Sequence, residues 1–264
     1  MGKLHLRCGG PVAYAFRLNR ASDGTRGRTI PTEGGSYTER VSVFSPASKN
    51  RLTRHDLGRF AGRTLFDRVA RAVCQAECLP RKEFYEAWET ARRVRRIFRG
   101  GRVVDLAGGH GLAGQILLIL DNSSPRVVVV DREIPASAAA VHASLVESWP
   151  RLGGRVEFVA AQLDAVELDE RDLVVSVHAC GALTDLVLDR AIAARARVAV
   201  LPCCHDARTC DTGGLEGWMD AALAIDATRA ARLARAGYRA RTQTIPTEIT
   251  PKNRLLIGEP PKTR

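Results

Sequence analysis

A chain of 264 residues, 45% apolar and 26% charged, is long enough to bury a core without disulfides and too apolar to be disordered throughout. No stretch approaches the ~20 apolar residues of a membrane span, and the first apolar run, Pro11 to Phe16, is too short for the core of a secretory leader. The expectation is a cytoplasmic protein without a membrane partner. Seven irregularly spaced cysteines fit that compartment as free thiols rather than a disulfide framework.

The net charge of +11 is unevenly spread. Residues 1–100 carry 21 Lys/Arg against 9 Asp/Glu, whereas residues 101–264 carry 19 against 20. A basic segment beside a near-neutral one points to a polyanionic partner, with RNA the leading candidate. The alternative is compositional, because only five of the 40 basic residues are lysine, an arginine bias that a GC-rich genome also produces.

In chain order, residues 1–58 are rich in Gly, Ser, Thr, Arg and Pro, with turn formers throughout Ala21 to Gly35. They read as a flexible basic arm. Residues 59–100 read as a basic helical extension. Leu65, Phe66, Val69, Val73 and Ala76 recur at helical spacing until Pro80. A second helix over Arg81 to Arg99 turns Phe84, Trp88, Ala91, Val94 and Phe98 inward and ends at Gly100 and Gly101. Its remaining surface carries Arg92, Arg93, Arg95, Arg96 and Arg99, either a solvated face or a phosphate-contact stripe.

Beyond Gly101, seven β-branched runs alternate with helical segments: Arg102 to Leu106, Arg126 to Val130, Val156 to Ala160, Leu173 to Val177, Val198 to Leu201, Tyr238 to Thr244 and Arg254 to Gly258. This predicts an α/β, Rossmann-like, doubly wound domain over residues 101–264, with a mostly parallel seven-stranded sheet. The last two runs are joined by a Pro-containing loop without a helix, so they should pair antiparallel as a terminal hairpin.

The turn after the first strand, Asp105-Leu106-Ala107-Gly108-Gly109-His110-Gly111, places glycines where a strand feeds a helix. There the backbone can approach a ligand closely and free amides face it. Asp131 ends the second strand, where an acid can take both ribose hydroxyls of an adenosine. Gly109, Gly111 and Gly114 satisfy a dinucleotide pattern that by itself suggests NAD. Asp105 argues otherwise. A carboxylate at the strand end would face the NAD pyrophosphate, whereas S-adenosylmethionine (SAM) offers an ammonium and a sulfonium. Asp105, Ala107, Gly109, Gly111 and Asp131 are therefore expected to hold SAM. Asp164 follows the third strand where the adenine amino group would lie, although a loop-capping role is equally open.

The fourth and fifth strands end in His178-Ala179-Cys180-Gly181-Ala182-Leu183-Thr184-Asp185 and Pro202-Cys203-Cys204-His205. As neighbours they would emerge together beside the cofactor crevice. Three roles present themselves. A metal site has the right donor types, but adjacent Cys203 and Cys204 are not expected to aim at one ion. A covalent role would use a thiolate of Cys180 or Cys203. The favoured role is an acceptor pocket lined by His178, Cys180, Cys203 and His205, in which a histidine takes a proton or orients the nucleophile.

The ordered motifs D-x-A-G-G-H-G, H-x-C-G-x-x-T-D and P-C-C-H resemble the SAM-dependent methyltransferase domain of eukaryotic tRNA ribose 2′-O-methyltransferases. They also resemble the domain that vertebrates append to a glutathione-transferase-like region. The resemblance covers about Pro80 to Gly258 and implies a methyltransferase acting on RNA, tRNA or rRNA. The family also places a basic and acidic pair before the first strand. Among Arg81, Lys82, Glu83 and Glu86, this implies Lys82 and Glu86 as further cofactor-site residues. The chain departs from the family in having Asp206 after its single histidine. Rival readings are a non-catalytic RNA-binding protein that keeps the fold and an NAD-dependent enzyme.

Overall fold

The computed structural model describes residues 44–262; the first 43 residues of the expected arm lie outside them. Seven strands form one sheet: β1 (Val103–Leu106), β2 (Val127–Asp131), β3 (Val156–Ala160), β4 (Leu173–Ser176), β5 (Arg197–Val200), β6 (Arg239–Thr244) and β7 (Arg254–Glu259). Their order is β3-β2-β1-β4-β5-β7-β6. The first five are mutually parallel, and β7 runs antiparallel to both β5 and β6.

The expected hairpin is present, and its second strand enters the sheet rather than ending it. Side-chain chemistry explains the exchange. Leu255, Leu256 and Ile257 of β7 are apolar and buried, as an interior strand requires, whereas β6 reads Arg-Ala-Arg-Thr-Gln-Thr and tolerates an edge.

Alternate residues of the central strands serve two cores. Val103, Val127, Val129, Leu173 and Val175 pack under α1 (Leu65–Ala76), α2 (Arg81–Ile97), α3 (Leu112–Leu120) and α4 (Ala138–Ser148). Val104, Leu106, Val128, Val130 and Val174 face α5 (Ala182–Ala193) and α6 (Ala221–Arg235). No described helix is long and apolar enough to cross a membrane.

The helical extension packs on the sheet's helices: α2 packs on α3, α1 packs on α4, and their side chains share the first core. Residues 44–58, assigned to the arm on composition, belong to the folded body. Leu52 is buried, its amide donates to the Leu79 carbonyl at 2.9 Å, and the Arg81 and Lys82 amides donate to Asn50 and Ser48. The Arg81 guanidinium sits 3.6 Å from the Phe44 ring centroid.

The arginines of α2 are largely committed within the protein. Arg92 and Arg93 both pair with the buried Glu89, and Arg93 also donates to the Thr244 carbonyl. Arg95 is buried and donates to the Leu117 carbonyl at 2.9 Å and to Ser124 Oγ at 3.2 Å. Arg99 pairs with Asp121. Of these five arginines, Arg96 is exposed without an ion pair among the described residues.

Candidate active site

The chain steps outward from β1 to β2 to β3 and then crosses back to β4, so the switch point of the sheet lies between β1 and β4. A cleft of about 400 Å³ opens there, within the usual size of a small-ligand site. Its floor is the β1–α3 turn, one wall is the segment after β4, and its roof is Leu79 with Glu83 and Ala87 of α2.

The turn is shaped by left-handed backbone. Ala107, Gly109 and Gly111 have φ of 53°, 51° and 66°. A Cβ on Gly111 would come within 2.4 Å of Val129 Cγ2, so this glycine lets the turn sit on β2. A Cβ on Gly109 would meet nothing within 4 Å. Gly109 lines the open cleft, and its constraint is conformational.

Asp105 is 1% exposed and accepts from the Gly114 amide at 2.9 Å. Burial pushes its carboxyl up to about 7, assisted by the charge of Asp131 and only partly offset by the Gly114 amide. Asp131 Oδ2 accepts from the Gly109 amide at 3.0 Å, which ties the tip of β2 to the turn. Its other oxygen has no hydrogen-bond partner among the described residues, and the side chain lines the cleft. Asp105, Ala107, Gly109 and Asp131 thus converge as expected, with Gly111 starting α3 behind them.

Asp164 does not join them. It is exposed on the single turn Leu163–Ala165 after β3 and does not line the cleft.

Lys82 and Glu86 do not line the cleft either. Lys82 Nζ lies 2.9 Å from Glu86 Oε1, and Glu86 Oε2 lies 3.7 Å from His178 Nε2. The pair backs His178, and Glu83 is the α2 acid that reaches the cleft. Burial, reinforced by Glu86, holds the Glu83 carboxyl above its ordinary range.

His178 and Cys180 line the cleft on the β4 side. The His178 side chain is 37% exposed. Desolvation, then the Lys82 charge, lowers its pKa to about 4, so the ring is neutral at neutral pH.

Cys180 Sγ is 3.1 Å from Cys203 Sγ, which is 3.7 Å from Cys204 Sγ. All three sulfurs lie within 4.8 Å of one another, although Cys203 and Cys204 are adjacent in the chain. Cys203 contacts Cys180 without lining the cleft. His205 turns away: its Nε2 lies 2.8 Å from both oxygens of Asp226, which also binds Arg254 and Arg229. With a side chain 4% exposed, it serves packing rather than the acceptor pocket.

Sequence reasoning also missed His110, which lines the cleft and has Nε2 2.8 Å from Ser137 Oγ. Burial and the charge of Arg51 depress its imidazolium. The only signal was its position between two turn glycines.

Residues 83–209 match a family model described as a methyltransferase domain. The match begins inside α2, at the residue that supplies the roof acid. A curated Xenopus laevis protein, the glutathione S-transferase C-terminal domain-containing protein, is 30% identical over 109 residues, 40% of this chain and 16% of that one. Among solved structures, an O-methyltransferase family protein from Burkholderia thailandensis has 20% identity and a TM-score of 0.42, covering 78% of this chain and 62% of that one. The SAM-dependent methyltransferase SibL has 20% identity and a TM-score of 0.46, covering 81% and 66%. The chain therefore spans about a sixth of the frog relative's length and under two thirds of the Burkholderia protein's.

Proposed function

We propose that the protein is a SAM-dependent methyltransferase with RNA as its acceptor. The observation that carries the donor reading is Asp105. A carboxyl buried at the floor of an open cleft, with one amide partner and a pKa raised to about 7, is a site completed by a cation. The ammonium and sulfonium of SAM satisfy it, whereas the pyrophosphate of NAD would add a like charge. The unpartnered oxygen of Asp131 is available to a ribose diol, and Gly109 leaves the space that a Cβ would fill.

Bound there, SAM supplies a methyl group already activated by its sulfonium. The protein's task is alignment, which can supply most of the acceleration for such a transfer. As the acceptor's lone pair bonds to the methyl carbon, the carbon–sulfur pair returns to sulfur and the acceptor's proton must leave. His178 faces the cleft with Glu86 behind it, which places its neutral ring to orient a hydroxyl or amine acceptor.

The RNA reading rests on the basic excess of residues 1–100. It now falls on exposed cations other than the α2 stripe. Arg51 is exposed and near enough to the cleft residue His110 to depress its pKa.

Calorimetry tests the donor: SAM should bind and NAD should not, with binding lost in Asp131→Ala. Incubation with labelled SAM and separate RNA, protein and small-molecule fractions tests the acceptor. Label entering only protein or small molecules would overturn the RNA assignment, and binding of neither SAM nor NAD would overturn the enzyme reading in favour of a non-catalytic protein.

A further inference from the structure

We propose that Cys180, Cys203 and Cys204 form a three-thiolate site for one zinc ion, whose fourth position opens toward the cleft. The site follows from strand pairing. Ser176 of β4 is in register with Val200 of β5, so the segments that leave these parallel strands emerge side by side. Cys180 and Cys204 each stand four residues beyond their paired strand ends, and the Gly181 amide donates to the Cys204 carbonyl at 3.3 Å, joining the two segments. Gly181 has a φ of 56°, which turns the chain immediately after Cys180.

The sulfurs have metal-site spacing. Zinc–thiolate bonds of about 2.3 Å in a tetrahedron set sulfurs ~3.8 Å apart. The observed separations of 3.1 and 3.7 Å lie below and close to that value, and all three sulfurs lie within 4.8 Å of one another. They far exceed a disulfide bond of about 2.05 Å. Thiolate softness selects zinc or copper(I) over magnesium or calcium, and zinc accepts a three-ligand set with an open position.

His205 is not part of the sulfur group, and Asp226 holds its Nε2. Cys180 is the ligand that lines the cleft, so the open position faces the side where an acceptor would enter.

The test uses the full chain and does not depend on SAM binding. After exhaustive dialysis, elemental analysis should find close to one zinc per chain. Cobalt(II) titrated into the metal-free protein should give thiolate-to-cobalt charge-transfer bands and the intense visible bands of a tetrahedral ion. Cys204→Ala should abolish both zinc and the bands while circular dichroism stays unchanged. Cys74→Ala, at a buried cysteine of α1, should retain both.

His205→Ala should also retain the ion; its loss would make the site a closed four-ligand one and overturn the open position. Absence of zinc and cobalt bands in the folded wild-type chain would overturn the site itself. So would a Cys180–Cys203 disulfide that persists in a non-reducing digest of freshly prepared protein.

Discussion

Asp105 gives the cleft a pH response with a definite sign. Its folded pKa of about 7 lies above the ordinary 3.8, so between those values the folded protein holds a proton that the unfolded chain has released. The Asp105 contribution to stability is therefore complete below pH ~4 and is lost as pH rises toward 7. A cationic ligand reverses the preference, because it binds the ionised carboxylate and expels the proton. SAM affinity should rise from pH 5.5 to about 7 and level off above it, as read by calorimetry in buffers of differing ionisation heat. Asp105→Asn should flatten that profile, weaken SAM binding and raise Tm at pH 8; an unchanged profile would remove Asp105 from cofactor binding. The turn glycines separate by the same logic. Gly111→Ala forces a Cβ to 2.4 Å from Val129 at positive φ and should cost about 1–3 kcal/mol in a urea titration. Gly109→Ala should cost only about 1 kcal/mol, for its φ alone, yet reduce SAM affinity because its Cβ enters the cleft.

At this scale the sequence was legible where backbone rules act. Asp105, the glycine turn and Asp131 follow from a strand, a left-handed turn and a strand tip. Where a choice depended on helix rotation, it failed. Lys82, Glu83 and Glu86 share one stretch of helix, and only the docking of α2 on α3 decides that Glu83 faces the cleft. His205 was misjudged because its captor, Asp226, lies 21 residues away on helix α6.

Among elements, the parallel strands were visible because both faces are covered and the runs are nearly all β-branched. The place of β7 between β5 and β6 is a pairing between distant segments, and its trace in the sequence was the contrast between apolar β7 and polar β6. The strap over residues 44–60 escaped notice for a different reason. It has few apolar anchors and is held by backbone hydrogen bonds that composition does not report. Leu52 is its buried anchor, so Leu52→Ala should destabilise the whole protein by about 2–5 kcal/mol with a single unfolding transition. A change below 1 kcal/mol would return this segment to the status of a loose arm.

For the whole molecule, net charge and its distribution carry the partner question. If RNA binds through exposed cations near the cleft, log affinity should fall linearly with log salt, and Arg51→Ala should shallow the slope by about one. A response independent of salt would dispose of the polyanion partner and leave the arginine excess to genome composition. The structural use of the α2 arginines shows why charge counting overstated a binding face: Glu89, Asp121 and the Thr244 and Leu117 carbonyls had prior claim on them.

Helix α2 is at once a wall of the first core and the roof of the cleft, so the protein cannot be trimmed to its sheet. A recombinant fragment starting at Gly101 would bare the greasy sides of α3 and α4 and leave any methyl donor uncovered from above. Such a piece should precipitate on expression, whereas one starting at Phe44 should remain dispersed and keep donor binding. The smallest working unit is accordingly set by the strap, and the glycine fingerprint that first draws the eye lies well inside it.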